Sequence, residues 1–200
     1  MSKNINITLP DGSISEYPIE ITGYDIAYDI SKSLAKESVA ILINNKMCDL
    51  NSPILEDSSI QIIKKSDDRV LDIIRHDCAH IMAQSVQELF PGTQVTIGPT
   101  IDNGFYYDFH REDGFSSDDL IKIEKRMHQI VDKDIPFERE VWEREDAIQY
   151  FESIGELYKT EIIRDLPKSE EISIYRQGEW LDLCRGPHLP STSFIGKAFK

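Results

Sequence analysis

The stretch INITLPDGSISEY (residues 5–17) decides the first part of the fold. From Ile5 to Leu9, apolar residues alternate with polar ones, which is the period of a strand with one buried face. Pro10-Asp11-Gly12 supplies turn chemistry, and a second short extended run follows through Ile14 and Tyr17. The sequence therefore predicts a β-hairpin at the start of the chain.

A helix is predicted directly after this hairpin. Thr22 and Asp25 offer side-chain oxygens that can cap its first turn. Ile26, Ile30 and Leu34 follow at intervals of four, which places them on one helical face. We expect a single helix that packs this face on a sheet.

More strands are predicted after the helix. Residues 39–43 form a β-prone run, and residues 60–63 form another. Asn44-Asn45 can adopt the left-handed conformation of a tight turn. A hairpin, a helix and further strands within about 65 residues are typical of a β-grasp, ubiquitin-like domain.

The polar run at residues 64–68 separates this pattern from a second one, so we predict domains at residues 1–65 and 66–200. A long helix begins near Val70 and ends before Pro91-Gly92. Further elements are predicted as strands at 93–97 and 105–109, helices at 120–131 and 144–154, and a hairpin over 172–183. The predicted fold class is α+β, a β-grasp domain followed by an α/β two-layer domain.

The composition narrows the class of protein. The chain has 200 residues, 40% of them hydrophobic and 29% charged, and no apolar run approaches the roughly 18 residues that span a bilayer. The start has no secretory or transit signal, and three widely spaced cysteines do not form a disulfide framework. We expect a cytoplasmic protein with no membrane association. The net charge of −14 argues against general nucleic-acid binding, which depends on Lys and Arg.

Two histidine-containing motifs could share a site. His76 and His80 lie four apart on the predicted long helix, so both imidazoles project from one face. Cys184 and His188 repeat this spacing, but Gly186-Pro187 between them favours a loop. Two His, a Cys and a third His are the ligand types that zinc prefers. From the residues alone, a shared site and ordinary packing both remain open.

Three longer motifs carry a specific resemblance. They are HDCAH (residues 76–80), the run from Ile97-Gly98-Pro99 to NGFYYD (residues 103–108), and DLCRGPH (residues 182–188). In order and spacing they resemble the editing domain of bacterial threonyl-tRNA synthetases. The first 65 residues resemble the TGS domain, the ubiquitin-like module that begins these synthetases. The resemblance implies an amino-terminal part of such an enzyme, with the aminoacylation core outside this chain.

The resemblance also implies a reaction, the hydrolysis of seryl-tRNA mischarged on the tRNA of the threonine type. His76 would hold the ribose hydroxyl or a water, and Lys159 would activate or orient a second water. Developing negative charge would need donors or positive charge. The catalytic residues implied are His76, Lys159, Asp182 and Cys184. The substrate contacts implied are His80, Tyr107 and His188.

Each of these residues also has an ordinary structural role that the sequence leaves open. Lys159 could be an exposed lysine, Asp182 could pair with Arg185, and Tyr107 could face the core from a strand. Cys78, with apolar neighbours on the helix, is interpreted as a core residue.

The implied partners are the acceptor end of the tRNA and the seryl-adenosine ester, and the resemblance implies a homodimer that forms through domains outside this chain. Editing is expected to need no cofactor. If zinc is bound, the ligands would be His76, His80, Cys184 and His188. Two alternatives remain, a zinc-dependent editing hydrolase of the alanyl type and a structural metal or interaction module. The amino-terminal ubiquitin-like domain favours the threonyl type.

Overall fold

The computed structural model describes residues 3–200 and divides them into two compact units. The first unit runs to Ile74 and also includes Gly186–Pro190. The second unit comprises Arg75–Arg185 and Ser191–Lys200. The domain boundary at residues 64–68 stays a prediction.

The first unit is built on a mixed sheet with strand order β2-β1-β5-β3-β4, in which β1 and β5 are parallel and the other neighbours are antiparallel. Its apolar core joins strand and helix side chains, as a β-grasp fold requires, and the predicted fold class is confirmed. The elements are β1 (Asn4–Thr8), β2 (Ile14–Pro18), α1 (Gly23–Ile30), α2 (Lys32–Glu37), β3 (Ser38–Ile43), β4 (Lys46–Asp49) and β5 (Ser58–Lys64).

The helix after the hairpin differs from its prediction. Thr22 caps α1 in a capping box with Asp25, as expected. However, Ser31 takes an extended conformation, ends α1 and caps α2 by accepting from the N–H of Leu34. The prediction of one continuous helix was therefore wrong. Within α1, Ile26 is fully buried while Ile30 is 48% exposed, so the predicted apolar face does not continue to Ile30.

The tight turn between β3 and β4 agrees with its prediction from the sequence. Asn44 and Asn45 both have positive φ in the turn between β3 and β4. This is the left-handed conformation that asparagine tolerates.

The second unit combines a three-stranded antiparallel sheet, of order β10-β11-β12, with helices that pack on it. The α5–α6 pair contributes Phe151 and Ile163 to a core that includes Ile174 of β11 and Leu181 of β12. The elements are α3 (Val70–Leu89, which begins in the first unit), β6 (Gln94–Val95), β7 (Thr100–Ile101), β8 (Gly104–Phe105), β9 (Phe109–His110), α4 (Ser117–Asp132), β10 (Phe137–Trp142), α5 (Arg144–Ser153), α6 (Leu157–Asp165), β11 (Ile172–Gln177) and β12 (Trp180–Leu183).

The predicted helices and hairpin of this unit are confirmed as α3, α4, α5 and β11–β12, whereas β10 and α6 were not predicted. The prediction of one strand over 105–109 was wrong. Gly104–Phe105 pairs with β7, and Phe109–His110 pairs with β6, so the chain changes partner between them. The intervening Tyr107 is thereby turned into a cluster with Ala79 and Ala83 of α3.

Among residues 3–200, we find no helix with both the length and the apolar character needed to cross a bilayer.

Candidate active site

Helix α3 and the end of β12 bring a histidine and a cysteine together. His76 Nε2 lies 3.0 Å from Cys184 Sγ, a hydrogen-bonding distance for sulfur. The rings of His76 and His80 meet edge to face, with centroids 4.8 Å apart, because residues four apart occupy one helical face. Cys184 is held by its backbone, since its N–H donates to the carbonyl of Ser173 on β11 at 3.1 Å.

Asp182 is the centre of a second, buried group. Its Oδ1 accepts from Lys159 Nζ at 2.6 Å, and its Oδ2 accepts from the Tyr107 hydroxyl at 2.7 Å. Lys159 Nζ also donates to the Tyr107 hydroxyl oxygen at 3.0 Å, which closes a triangle of polar contacts. The backbone N–H of Leu183 donates to Oδ1 at 2.8 Å. The carboxylate therefore has donors on both oxygens.

The structure tests two alternatives left open by the sequence, Lys159 as an exposed lysine and Asp182 as the partner of Arg185. Lys159 is 3% exposed and Asp182 is 1% exposed, so Lys159 is not a surface lysine. Asp182 pairs with Lys159, whereas Arg185 pairs with Glu170, so the expected Asp182–Arg185 alternative is wrong. The cause is the α6 helix, which the sequence did not predict.

Tyr107 owes its place to a glycine. A Cβ on Gly98 would lie 2.3 Å from the Tyr107 ring, so only glycine allows this close approach. Burial, followed by the charge of Asp182, raises the pKa of Tyr107 well above its ordinary value. Tyr107 therefore remains a neutral hydroxyl that can donate, and it does not act as a base.

His80 connects the two groups. Its Nδ1 lies 3.8 Å from Asp182 Oδ2, and its ring meets the Trp180 ring edge to face at 5.9 Å. His80 is buried, so it forms part of the wall between the His76–Cys184 contact and the Asp182 group. The structure thus brings six of the predicted residues into one region of the second unit: His76, His80, Tyr107, Lys159, Asp182 and Cys184.

His188 belongs to the segment that groups with the first unit. It is buried, and its backbone N–H donates to Asp49 Oδ1 at 2.7 Å. Residues 184–189 belong to no helix or strand, which confirms the predicted loop around Gly186-Pro187.

Cys78 is confirmed as a core residue. It is 3% exposed, and burial together with the charge of Asp77 raises its pKa to about 12. A thiol with this pKa stays protonated at neutral pH, so Cys78 is not a nucleophile.

The donor set can be tested against zinc. The ligand atoms of His76, His80 and Cys184 lie within 4.8 Å of one another, and His188 follows four residues later in the chain, so the ligand types fit zinc. In a tetrahedral site, Zn–N and Zn–S bonds of ordinary length separate nitrogen and sulfur by about 3.5 Å. His76 Nε2 and Cys184 Sγ are 3.0 Å apart, so the two ligand atoms lie near this separation.

Two polar residues of this region were not found from the sequence. Glu156 is buried beside α6 and accepts from Gln87 of α3 and from the Val95 N–H of β6. Neither residue lies in one of the three motifs. A glutamate next to Gly155 at the end of a predicted helix gives no signal of burial, so only the tertiary structure identifies it.

Comparison with known proteins follows the same division of the chain. The TGS domain family model matches residues 5–64, and the model described as threonyl and alanyl tRNA synthetase second additional domain matches residues 172–200. The chain is 60% identical over 196 residues to the threonine--tRNA ligase of Maricaulis maris and 56% identical over 196 residues to that of Rhodospirillum rubrum. Each alignment covers 98% of the chain and 30% of the relative.

The chain matches the TGS and editing region of the threonine--tRNA ligases. A third relative, the threonine--tRNA ligase of Pelagibacter ubique, is 55% identical over 194 residues. The chain spans about 30% of the length of these curated threonine--tRNA ligases. The predicted resemblance to the amino-terminal TGS and editing region of these ligases is therefore confirmed.

Proposed function

We propose that this chain hydrolyses the ester bond of serine mischarged on the tRNA of the threonine type. The observation that carries the proposal is the buried Lys159–Asp182–Tyr107 group next to the His76–Cys184 contact. Burying a charged carboxylate or amine has a desolvation cost in free energy, and such groups concentrate at functional sites.

Lys159 supplies positive charge and donors to the reaction. An ammonium has three N–H donors, of which two point to Asp182 and Tyr107. The third remains for the attacking water or for the ester oxygen, where negative charge develops. Asp182 already accepts from Lys159, Tyr107 and its own neighbour Leu183, so it orients Lys159 and does not take the proton itself.

His76 is the group suited to hold the ribose hydroxyl or a water. Its contact with Cys184 fixes the ring, because Nε2 is engaged at 3.0 Å. An imidazole is also the side chain whose proton exchanges most readily near neutral pH. In this arrangement, Cys184 orients the His76 ring and lines the pocket, and the water is deprotonated or held at the His76 side.

The need for such a site follows from the size of the substrates. Threonine exceeds serine by one methyl group, which is worth about 1 to 3 kcal/mol of discrimination in a binding pocket. A second site that accepts serine and excludes the methyl removes the error by hydrolysis. The partners of the site are then the acceptor end of the tRNA and the seryl ester of its terminal adenosine.

The test is to incubate the chain with the threonine-type tRNA charged either with serine or with threonine, and to follow loss of labelled ester. We expect the seryl ester to be lost at least about tenfold faster than the threonyl ester. His76→Ala should reduce the seryl rate by about 100-fold, since it removes a positioned acid–base group. Equal rates for the two esters would contradict the proposal.

We also propose that the reaction does not depend on a metal, because Lys159 already supplies positive charge and donors beside Asp182 and Tyr107. Zinc, if bound by these residues with His80 and His188, would lower the pKa of a bound water. The measurement is zinc per chain together with ester loss before and after a strong chelator. We expect unchanged hydrolysis after chelation. Activity that is lost to the chelator and restored by zinc would favour the alanyl-type alternative.

A further inference from the structure

A second buried carboxylate lies next to the proposed site and has no role in the reaction described above. Glu156 is 6% exposed and directly precedes α6, three residues before Lys159. Burial raises the pKa of Glu156, while the Val95 hydrogen bond and the charge of Lys159 act in the opposite direction. The protein thus keeps an unfavourably buried acid at the start of the helix that carries Lys159.

Both oxygens of Glu156 are occupied by donors from other elements. Oε1 accepts from the side-chain amide of Gln87 on α3, and Oε2 accepts from the backbone N–H of Val95 on β6 at 3.0 Å. The next backbone N–H, that of Leu157, donates to Gln94 Oε1 at 3.1 Å. The first turn of α6 is therefore attached to α3 and β6.

The orientation of the Gln87 amide is fixed by its other contacts. Its Oε1 accepts from the indole N–H of Trp180 at 2.6 Å, and an indole nitrogen can only donate. Its Nε2 also donates to the carbonyl of Thr93 at 3.1 Å. Gln87 therefore presents a donor to Glu156 and cannot turn its amide over without facing Trp180 with an N–H group.

We propose that Glu156, held by Gln87, is a positioning residue that fixes the direction of Lys159 in the editing reaction. Lys159 Nζ must reach both Asp182 and Tyr107, and small rotations of α6 would break one of these contacts. Glu156 precedes the first turn of α6, and its bonds to Gln87 and Val95 hold that end of the helix against such a rotation. The inference rests on the proposed function for its kinetic part only.

The kinetic test is Glu156→Gln, compared with Glu161→Gln, which changes an exposed carboxylate on the same helix. An amide at position 156 must direct its N–H₂ at either Gln87 or the Val95 N–H, both of which are donors. We expect the single-turnover rate on seryl-tRNA at saturating substrate to fall by about 10- to 100-fold with KM within about twofold, because a small displacement of a reacting group has effects of this size. Glu161→Gln should leave both values unchanged.

A double-variant cycle separates positioning from general loss of structure. If Glu156 acts through Lys159, Glu156→Gln has no further effect on the residual rate of Lys159→Met. A further loss of the same size in that background would overturn the proposal. The exchange variant Gln87→Glu with Glu156→Gln restores a donor–acceptor pair between the two positions but loses the bond from position 87 to the Thr93 carbonyl, so we expect it to recover part of the rate. It also serves as the test if the single variant does not fold.

A readout that does not need activity keeps this proposal distinct from the proposed function. The rate at which an amine-acetylating reagent modifies Lys159 is followed by peptide mass spectrometry. We expect Glu156→Gln to raise this rate at least about threefold while Glu161→Gln does not, because a loosened α6 exposes the Lys159 amine. If the unaltered chain fails to hydrolyse seryl-tRNA but Lys159 labelling rises as expected, the proposed function fails and the positioning role stands. An unchanged labelling rate would overturn the positioning role.

Discussion

At the scale of single residues, the Lys159–Asp182 pair is expected to contribute both to activity and to stability, and the two contributions can be measured separately. Lys159→Met keeps most of the side-chain volume but leaves the Asp182 carboxylate buried without its cation. We expect deacylation of seryl-tRNA to fall by about 100-fold. The free energy of unfolding should fall by about 3–5 kcal/mol, the cost of removing one partner of a buried ion pair. Urea unfolding and single-turnover kinetics measure the two effects.

The matched control is Lys168→Met, an exposed lysine beyond α6, which should change neither quantity. Adding Asp182→Asn to Lys159→Met removes the uncompensated charge. The double variant should therefore recover much of the stability and none of the activity. Recovery of both would show that the pair has a structural role only.

The sequence could name these residues but could not pair them. Nothing in the residues around Lys159, nor in its resemblance-based role, indicated that it is 3% exposed. Asp182 has Arg185 three residues away, and local spacing made this the natural partner. The observed pair depends on where α6 packs, which is a property of the tertiary fold. The Cys184–His76 contact joins residues 108 apart and was likewise expected only from the motifs.

At the scale of elements, the segment that connects β6 and β7 contains Gly98, where one added methyl group is expected to lower the stability of the fold. Gly98→Ala would place a Cβ 2.3 Å from the Tyr107 ring, so the ring or the backbone must move. We expect a loss of about 1–3 kcal/mol in unfolding free energy, as for other overpacked sites. Deacylation should also fall, because the displaced hydroxyl no longer reaches Asp182.

Gly104→Ala is the control for this element. Gly104 belongs to β8, and an added Cβ would meet nothing within 4 Å. The free energy of unfolding, measured by thermal denaturation, should change by no more than about 0.5 kcal/mol. If the two alanine variants were equally destabilised, the close approach of Gly98 to the Tyr107 ring would not be the cause of the lost stability.

The elements themselves were predictable where local signals agreed. The hairpin turn, the Thr22 cap, the left-handed Asn44-Asn45 turn and the long helix α3 follow from turn chemistry, capping and periodicity. The prediction of one continuous helix failed because a local hydrogen bond competes with periodicity. Ser31 ends a helix that periodicity would continue, because its hydroxyl caps the next one.

At the scale of the whole molecule, ester hydrolysis and amino acid activation make different demands on a protein. Hydrolysis of an aminoacyl ester is downhill and needs one positioned water with donors for the developing charge. Under the proposed function, Lys159 and His76 of the second unit provide the donors and hold the water. Activation needs a second substrate, ATP, with a site that holds its phosphates.

We therefore expect this chain to deacylate seryl-tRNA at the same rate with and without ATP. Exchange of labelled pyrophosphate into ATP in the presence of threonine should stay at background. A Lys159→Met sample provides the background for hydrolysis, and a reaction without threonine provides it for exchange. Threonine-dependent exchange above background, or hydrolysis that requires ATP, would contradict the proposed function, since either result needs a nucleotide site that the Lys159 and His76 groups do not provide.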